Sequence, residues 1–132
     1  MMSPEQRVFT TIRGICNTLF GSDAVYDYIP PEGTAYPFVR LGIQTKQNRR
    51  LHKRNLNGDT QLMLHFWHNN VRQRGTLTRM MGEAEGAIKA EYGDRAEEIN
   101  IRVMEDDTTS VTLLHGVMDI NIKRYKNNKE LL

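Results

Sequence analysis

The sequence predicts a two-layer α+β domain, a mostly antiparallel sheet with two helices packed on one face. Two observations predict this class. Two long segments have apolar residues at helical spacing, and five shorter segments have the apolar–polar pattern of strands. The predicted order is α-β-β-β-α-β-β, with a protruding basic hairpin arm. The length of 132 residues favours one domain, which we place at residues 1–125, before a short polar tail at 126–132.

The first helix is predicted over Pro4–Phe20. Ser3 can cap its start, proline occupies the first helical position, and Gly21 follows its end. Cys16 lies within the helical pattern and is expected to be a small buried residue. As the only cysteine, it excludes an internal disulfide. The apolar stripe of this helix consists of Val8, Ile12, Ile15 and Leu19.

Two strands are predicted next, over Val25–Ile29 and Pro37–Thr45. Three prolines and a glycine lie in their connection, and proline restricts both its own backbone and that of the preceding residue. The connection is therefore expected to be stiff. Tyr28 and Tyr36 beside it can cover apolar surface.

A basic arm and a strong strand follow. The arm, Gln44–Asn57, has weak periodicity and many cationic side chains, and we interpret it as a long protruding hairpin. The strand, Thr60–His68, has apolar groups on both faces, which places it inside the sheet or with its second face at an interface. One face carries Leu62, Leu64 and Phe66, and the other carries Met63, His65 and Trp67.

The sequence pattern of the second half of the chain predicts one helix and two strands. The helix ends near Tyr92–Gly93, and its glycines Gly82 and Gly86 suggest close approach by another element. The strands are expected at about Ile99–Glu105 and Ser110–Tyr125. In the last strand the apolar phase shifts by one residue around His115–Gly116, which predicts a β-bulge. The core side of the helix is expected to contain Leu77, Met80, Met81, Ala84, Ala87 and Ile88.

Enzyme chemistry has little support in the sequence. No glycine-rich phosphate loop, nucleophile elbow or zinc-ligand spacing occurs, so we predict no enzyme, no cofactor, no metal and no small-molecule substrate. The histidines His52 and His115 look isolated, while His65, His68 and Trp67 are expected to have structural or interface roles. A solvated or intersubunit helix face is expected for Glu83, Glu85 and Glu91. The chain lacks an apolar run of about 18 residues for a membrane span. Its N-terminus lacks the pattern of a secretory signal, so we expect a protein made in the cytoplasm.

Charge is segregated although the net charge is only +2. Such separation suits contact with other copies of the chain or with an anionic partner. Three interpretations of the arm stay open: a solvated loop, a docking arm for acidic protein surface, and an arm that contacts DNA. The basic candidates are Lys46, Arg49, Arg50, Lys53 and Arg54. The acidic candidates, in a predicted turn, are Glu105, Asp106 and Asp107.

Several segments, in order, resemble a known family. They are the N-terminal helix, VYDYIPPEGTAYPFVRLG, a variable arm, TQLMLHFWH, a helix that begins near RGTLTRMMGEAEGAI, and LHGVMDINI. This chain is similar to the tail-completion proteins of phages with long, non-contractile tails, also called tail terminators or tail-to-head joining proteins. The resemblance extends from about Val8 to Tyr125.

The resemblance implies a structural virion protein that forms a ring, expected to be a hexamer, at the head-proximal end of the tail tube. The ring would end tube polymerisation and join tail to head. Its implied partners are other copies of itself, the tail tube protein and a head-completion or stopper protein. The family also implies subunits that are monomers in solution before they assemble in the host cytoplasm.

Two other functions remain open from the sequence. One is a head-completion or neck protein of the phage connector, and the other is a small nucleic-acid-binding protein that uses the basic arm. For the tail-completion ring, we hypothesise that the arm meets the acidic helix or the Glu105–Asp107 turn of an adjacent copy, because each subunit of a head-to-tail ring presents both halves of the contact.

Overall fold

Two helices cover one face of a five-stranded mixed sheet, so the predicted α+β class and order of elements are confirmed. The computed structural model describes residues 3–48 and 58–123, and for residues 43–48 it describes the backbone only. The predicted tail at 126–132 lies outside these residues. In chain order the elements are α1 (Pro4–Phe20), β1 (Val25–Tyr26), β2 (Phe38–Asn48), β3 (Gly58–His68), α2 (Arg74–Tyr92), β4 (Glu98–Asp106) and β5 (Leu113–Lys123).

The sheet has the strand order β1-β2-β3-β5-β4. β1 pairs with β2 in parallel, and the other three pairs are antiparallel. β3 is therefore the central strand, as its two apolar faces predicted. Among the described residues, the outer edge of β4 has no strand beside it, and β1 covers only the first part of the outer edge of β2.

Helix α1 has the predicted bounds and caps. The Ser3 hydroxyl accepts a hydrogen bond from the backbone N–H of Gln6 at 3.1 Å, which satisfies one of the free donors of the first turn. Gly21 ends the helix with φ at +87°, a conformation that favours glycine, and its N–H donates to Asn17. The buried stripe is formed by Val8, Ile12 and Cys16.

The core lies between the helices and one face of the sheet. Phe66, in the middle of β3, has no exposed surface and meets the ring of Phe20 edge to face. Cys16 is also fully buried, and burial raises the pKa of its thiol to about 12. It is therefore a core residue, as predicted. The sheet contributes Val39, Leu41, Leu62, Leu64, Phe66, Leu114, Met118, Ile120 and Ile122 to this core.

Helix α2 packs with a stripe that matches the prediction except at Ala87, which is half-buried. Asn70 caps the short 3-10 turn that leads into α2 rather than α2 itself, since its side-chain oxygen accepts from the N–H of Arg72. The buried residues are Leu77, Met80, Met81, Ala84, Ile88 and Tyr92.

The prediction of close packing at Gly82 and Gly86 is wrong. Both glycines are exposed, and a Cβ atom at either position would have no neighbour within 4 Å among the described residues. They lie on the solvent side of α2, where the absence of bulk leaves the core unaffected.

The first strand is shorter than predicted. β1 ends at Tyr26 instead of Ile29, and it runs parallel to β2 with Val25 opposite Val39. The chain must return across the end of the sheet before a parallel strand can begin, so residues 27–37 form a long connection. Of its predicted covering residues, Tyr36 packs beside Phe38, whereas Tyr28 remains largely exposed.

The predicted bulge at His115–Gly116 is also wrong. β5 keeps an unbroken register with both neighbours, and the register shift lies in β2 between Leu41 and Gln44. Gly116 occupies a core position without a side chain because Met81 fills that space. A Cβ atom there would lie 2.8 Å from the Met81 sulfur. Because Gly116 has no side chain at this core position, the apolar pattern of β5 looked shifted by one residue in the sequence.

Candidate interaction surface

The sheet face that points away from the helices is covered by no described helix or strand. We call this surface the open face. Its centre is half-buried because its side chains shield one another, and Val117 and Phe38 are buried there. By the strand registers, the open face includes Phe38, Arg40, Gln61, Met63, His65, Trp67, Asn100, Arg102, Met104, His115, Val117, Asp119 and Asn121.

Two histidines and a tryptophan form the centre of the open face. Nδ1 of His65 lies 2.8 Å from Nε2 of His115, so one ring donates a hydrogen bond and the other accepts it. The Trp67 ring stacks on His115 with centroids 3.8 Å apart and planes 7° apart. The sequence-based view of His115 as isolated is therefore wrong, because the fold pairs it with a residue of the central strand.

The bulge in β2 makes room for this pair. A Cβ atom at Gly42 would lie 2.8 Å from the His65 ring, so glycine allows the imidazole to lie against the backbone of β2. β5 supplies the second histidine, since Trp67 and His115 are directly opposite in the β3–β5 register. The pair thus depends on three strands.

Both histidines are held in their neutral forms. The pKa of His115 is lowered to about 4, chiefly by burial, and the neighbouring His65 and Arg102 contribute to the shift while Asp106 opposes it. Burial, followed by Arg40, also lowers the pKa of His65, against the charge of Asp119. Two neutral rings can share one hydrogen bond, whereas two charged rings would repel.

Acid should disrupt this cluster in a way that Trp67 reports. Trp67 is the only tryptophan, so its fluorescence monitors the stacked His115 ring. We expect the fluorescence to change with a midpoint near pH 4, and stability to fall as the pH drops from 6.5 to about 4. The sign follows because the unfolded chain takes up a proton in that range and the folded chain does not.

The control for this titration is His115→Gln, which keeps a polar side chain but cannot titrate there. It should remove the fluorescence transition. A midpoint above pH 6, or a transition that persists in the variant, would contradict the assigned environment of His115.

A groove borders the open face where the residue 27–37 connection passes over the end of the sheet. It has a volume of about 800 Å³ and is lined in part by Pro30, Tyr36 and Trp67. Arg40 also lines it, and the Nε atom of Arg40 is buried without a hydrogen-bond partner in the described part of the chain. Ile29, which also lines the groove, is 74% exposed.

The acidic candidates lie at the far end of β4. Glu105 and Asp106 end the strand, and Asp107 follows in the turn to β5. Asp106 accepts hydrogen bonds from the N–H and hydroxyl of Thr108, which lower the pKa of its carboxyl group. Asp107 accepts from Thr112. These contacts organise the turn. On α2, Glu83 pairs with Arg79 and Glu85 pairs with Lys89 on the helix surface, and Glu91 is exposed.

The basic candidates are only partly placed. The backbone of Lys46 pairs with Thr60 in β3, and Thr60 pairs with Ile122 of β5, so the first part of the predicted arm, from Gln44 to Gln47, continues β2 within the sheet instead of protruding from it. Arg49, Arg50, Lys53 and Arg54 lie outside the described residues, and so does His52.

Within one subunit, the structure does not bring Lys46 and the acidic turn together. Lys46 is level with Ile122 of β5 through Thr60, whereas Glu105 is opposite Leu114. These two positions of β5 are about 27 Å apart along an extended strand. A contact between Lys46 and the acidic turn would therefore require a second molecule.

Among residues 3–48 and 58–123, no group of three or more His, Cys, Asp or Glu side chains could hold a metal ion. In the same part of the chain, neither helix is long and apolar enough to cross a membrane. No known family model and no curated protein sequence matches the chain.

Proposed function

We propose that the chain is a structural virion protein that assembles as a ring on the head-proximal end of a phage tail tube, where it ends tube polymerisation and joins the tail to the head. The observation that carries this proposal is the open face. A two-layer domain normally buries one face of its sheet and exposes a polar second face. Here the second face presents the large apolar side chains of Trp67 and Met63 among its polar groups.

The composition of the open face suits contact with protein. Tryptophan, methionine and arginine are enriched in protein–protein interfaces, and aromatic and arginine residues dominate their binding energy. One ring nitrogen of His65 and one of His115 are engaged in their mutual hydrogen bond. A covering subunit could also pair with the buried Nε of Arg40.

The distribution of charge supports a head-to-tail arrangement. Lys46 and the acidic turn lie far apart on one subunit, so each copy can present one half of a contact to each neighbour. Contacts of this kind close into rings when the rotation between neighbours divides a full turn. The resemblance to tail-completion proteins supplies the place of such a ring in the virion.

Met63→Lys tests the role of the open face. Met63 is half-buried in β3 and opposite Asp119, so a lysine there keeps a nearby counter-charge and the monomer should stay folded. At an interface the same lysine would lose its water and prevent close packing. We expect phage that depend on this variant to produce few tails joined to heads, as counted by electron microscopy.

Val111→Lys is the matched control, since Val111 is an apolar residue that is 54% exposed and precedes β5 outside the open face. It should leave joining unchanged. Normal joining with a folded Met63→Lys protein would overturn the assignment of the open face to assembly.

A further inference from the structure

The two edges of the sheet are protected differently. On the β1 side, the strand has two residues and the prolines of the 27–37 connection follow it, and short strands and prolines both discourage pairing with another chain. β4, at the other edge, has nine residues, no proline, no lysine and an unbroken register with β5. It presents exposed apolar groups on both of its faces, Ile101 at 39% and Met104 at 37% exposure.

The β2 side of the sheet also has a strand edge that another strand could pair with. β1 pairs with β2 only at Val39 and Arg40. From Leu41 to Asn48, the backbone of β2 has no described strand on its outer side, although it continues its pairing with β3 on the inner side.

The strand directions make these two edges compatible. β2 and β5 run in one direction, and β3 and β4 run in the other. A copy placed side by side in the same orientation therefore sets β4 antiparallel to β2 of its neighbour. The helices of both copies then lie on the same side of one continuous sheet.

Charge favours the same arrangement. Through the registers, Glu98 is level with Asn121, Gln61 and Thr45, so the start of β4 and the end of β2 lie at the same end of the sheet. Side-by-side placement thus brings Glu97 and Glu98 towards the Lys46 position of the neighbouring copy. Glu97 and Glu98 are exposed and meet Lys123 of their own chain at 3.0 and 4.0 Å, surface pairs that contribute little and can be rearranged.

A two-fold contact between two β4 strands is less favourable. Antiparallel pairing centred on Arg102 would put Glu98 opposite Asp106 and Arg102 opposite its own copy. Like charges directly opposite each other destabilise a strand pair. In that register, the edge of β4 is better matched to β2 than to itself.

We propose that neighbouring copies of this chain join through their backbones, with the outer edge of β4 in one copy paired antiparallel to the Leu41–Asn48 edge of β2 in the next. This inference rests on the proposed ring and names the contact that forms it. It replaces the acidic turn Glu105–Asp107 with Glu97 and Glu98 as the acidic group nearest to the basic arm.

Cysteine crosslinking tests this contact in the full chain. Asn100→Cys is on β4, Thr45→Cys is on β2, and both positions belong to the face away from the helices. Cys16 stays in place because it is fully buried and its thiol remains protonated. A short bismaleimide is added to concentrated protein and to assembled tails. We expect a crosslinked product when the two single variants are mixed, none from either variant alone, and a ladder of oligomers from the double variant.

Two further variants control the result. Ala90→Cys, on the exposed side of α2, combined with Thr45→Cys should give no ladder. Ile101→Lys in the double-cysteine chain should abolish the ladder because lysine on an edge strand opposes pairing. Val111→Lys should leave the ladder intact.

The outcomes separate this inference from the proposed function. Crosslinked dimers from Asn100→Cys alone would overturn the β4–β2 contact in favour of two-fold pairing of β4. Closed oligomers detected by their mass, without any crosslinked product, would also overturn the β4–β2 contact but would leave the proposed ring in place. A ladder that Ile101→Lys abolishes, together with normal joining of heads and tails in that variant, would support the contact and contradict the proposed function. Absence of oligomers both in solution and on tails would overturn both.

Discussion

Phe66→Ala is expected to lower the free energy of unfolding by about 3–5 kcal/mol. Phe66 has no exposed surface in the central strand, and its removal would leave a cavity between Phe20 and Gly116. Gly116 has no side chain that could fill this space, and Met81 already occupies the room above it. Collapse around the cavity should therefore be limited. Urea denaturation followed by circular dichroism measures the change.

Tyr28→Ala is the matched control, because Tyr28 is also aromatic but is 59% exposed. Its removal should change the free energy of unfolding by less than about 0.5 kcal/mol, which is usual for surface positions. Similar losses in the two variants would contradict the assignment of the core to the helix-facing side of the sheet.

Reversing the charge of the basic arm is expected to abolish the joining of tails to heads while the monomer stays folded. The variant replaces Arg49, Arg50, Lys53 and Arg54 with glutamate. These residues follow β2 in sequence, and any contact of the arm with acidic residues of another copy would change from attraction to repulsion on reversal. Electron microscopy of particles made with the variant, with circular dichroism of the purified protein, measures both parts of this prediction.

A second set of reversals identifies the acidic partner. If the sheet continues side by side, Glu97→Lys with Glu98→Lys should restore joining to the reversed arm. If the acidic turn is the partner, Glu105→Lys, Asp106→Lys and Asp107→Lys should restore it instead. Normal joining by the reversed arm alone would contradict any role of the arm in assembly.

Local features of the fold could be predicted from the sequence. The bounds of α1 follow from Ser3, the proline after it and Gly21, which act through neighbouring residues. The central position of β3 follows from apolar groups on both of its faces. These signals need no knowledge of the rest of the chain.

Features that depend on distant residues could not be predicted. The parallel pairing of β1 requires the path of the 27–37 connection, and the space at Gly116 is explained only by Met81 of α2. Likewise, His65 and His115 meet because β3 lies beside β5. The alternation of side chains along β3 predicted that His65 lies on its second face. No local pattern predicted the β3–β5 register that brings His115 beside it.

The candidate surface was predicted in part. Met63, His65 and Trp67 on one strand face indicated an interface, and the structure leaves that face uncovered by any described helix or strand. The edge of β4 was missed because the exposure of an edge depends on strand order. Strand order is set by packing across the whole sheet, not by the sequence of β4.

The most direct test is to interrupt the gene for this chain in a phage that carries it and to image the tails by electron microscopy. We expect overlong tails, or free tails that cannot join heads, with wild-type tails restored by the intact chain. Free tails of normal length beside heads that leak DNA would instead indicate a neck protein. Normal, fully joined particles would contradict a role in completing the tail.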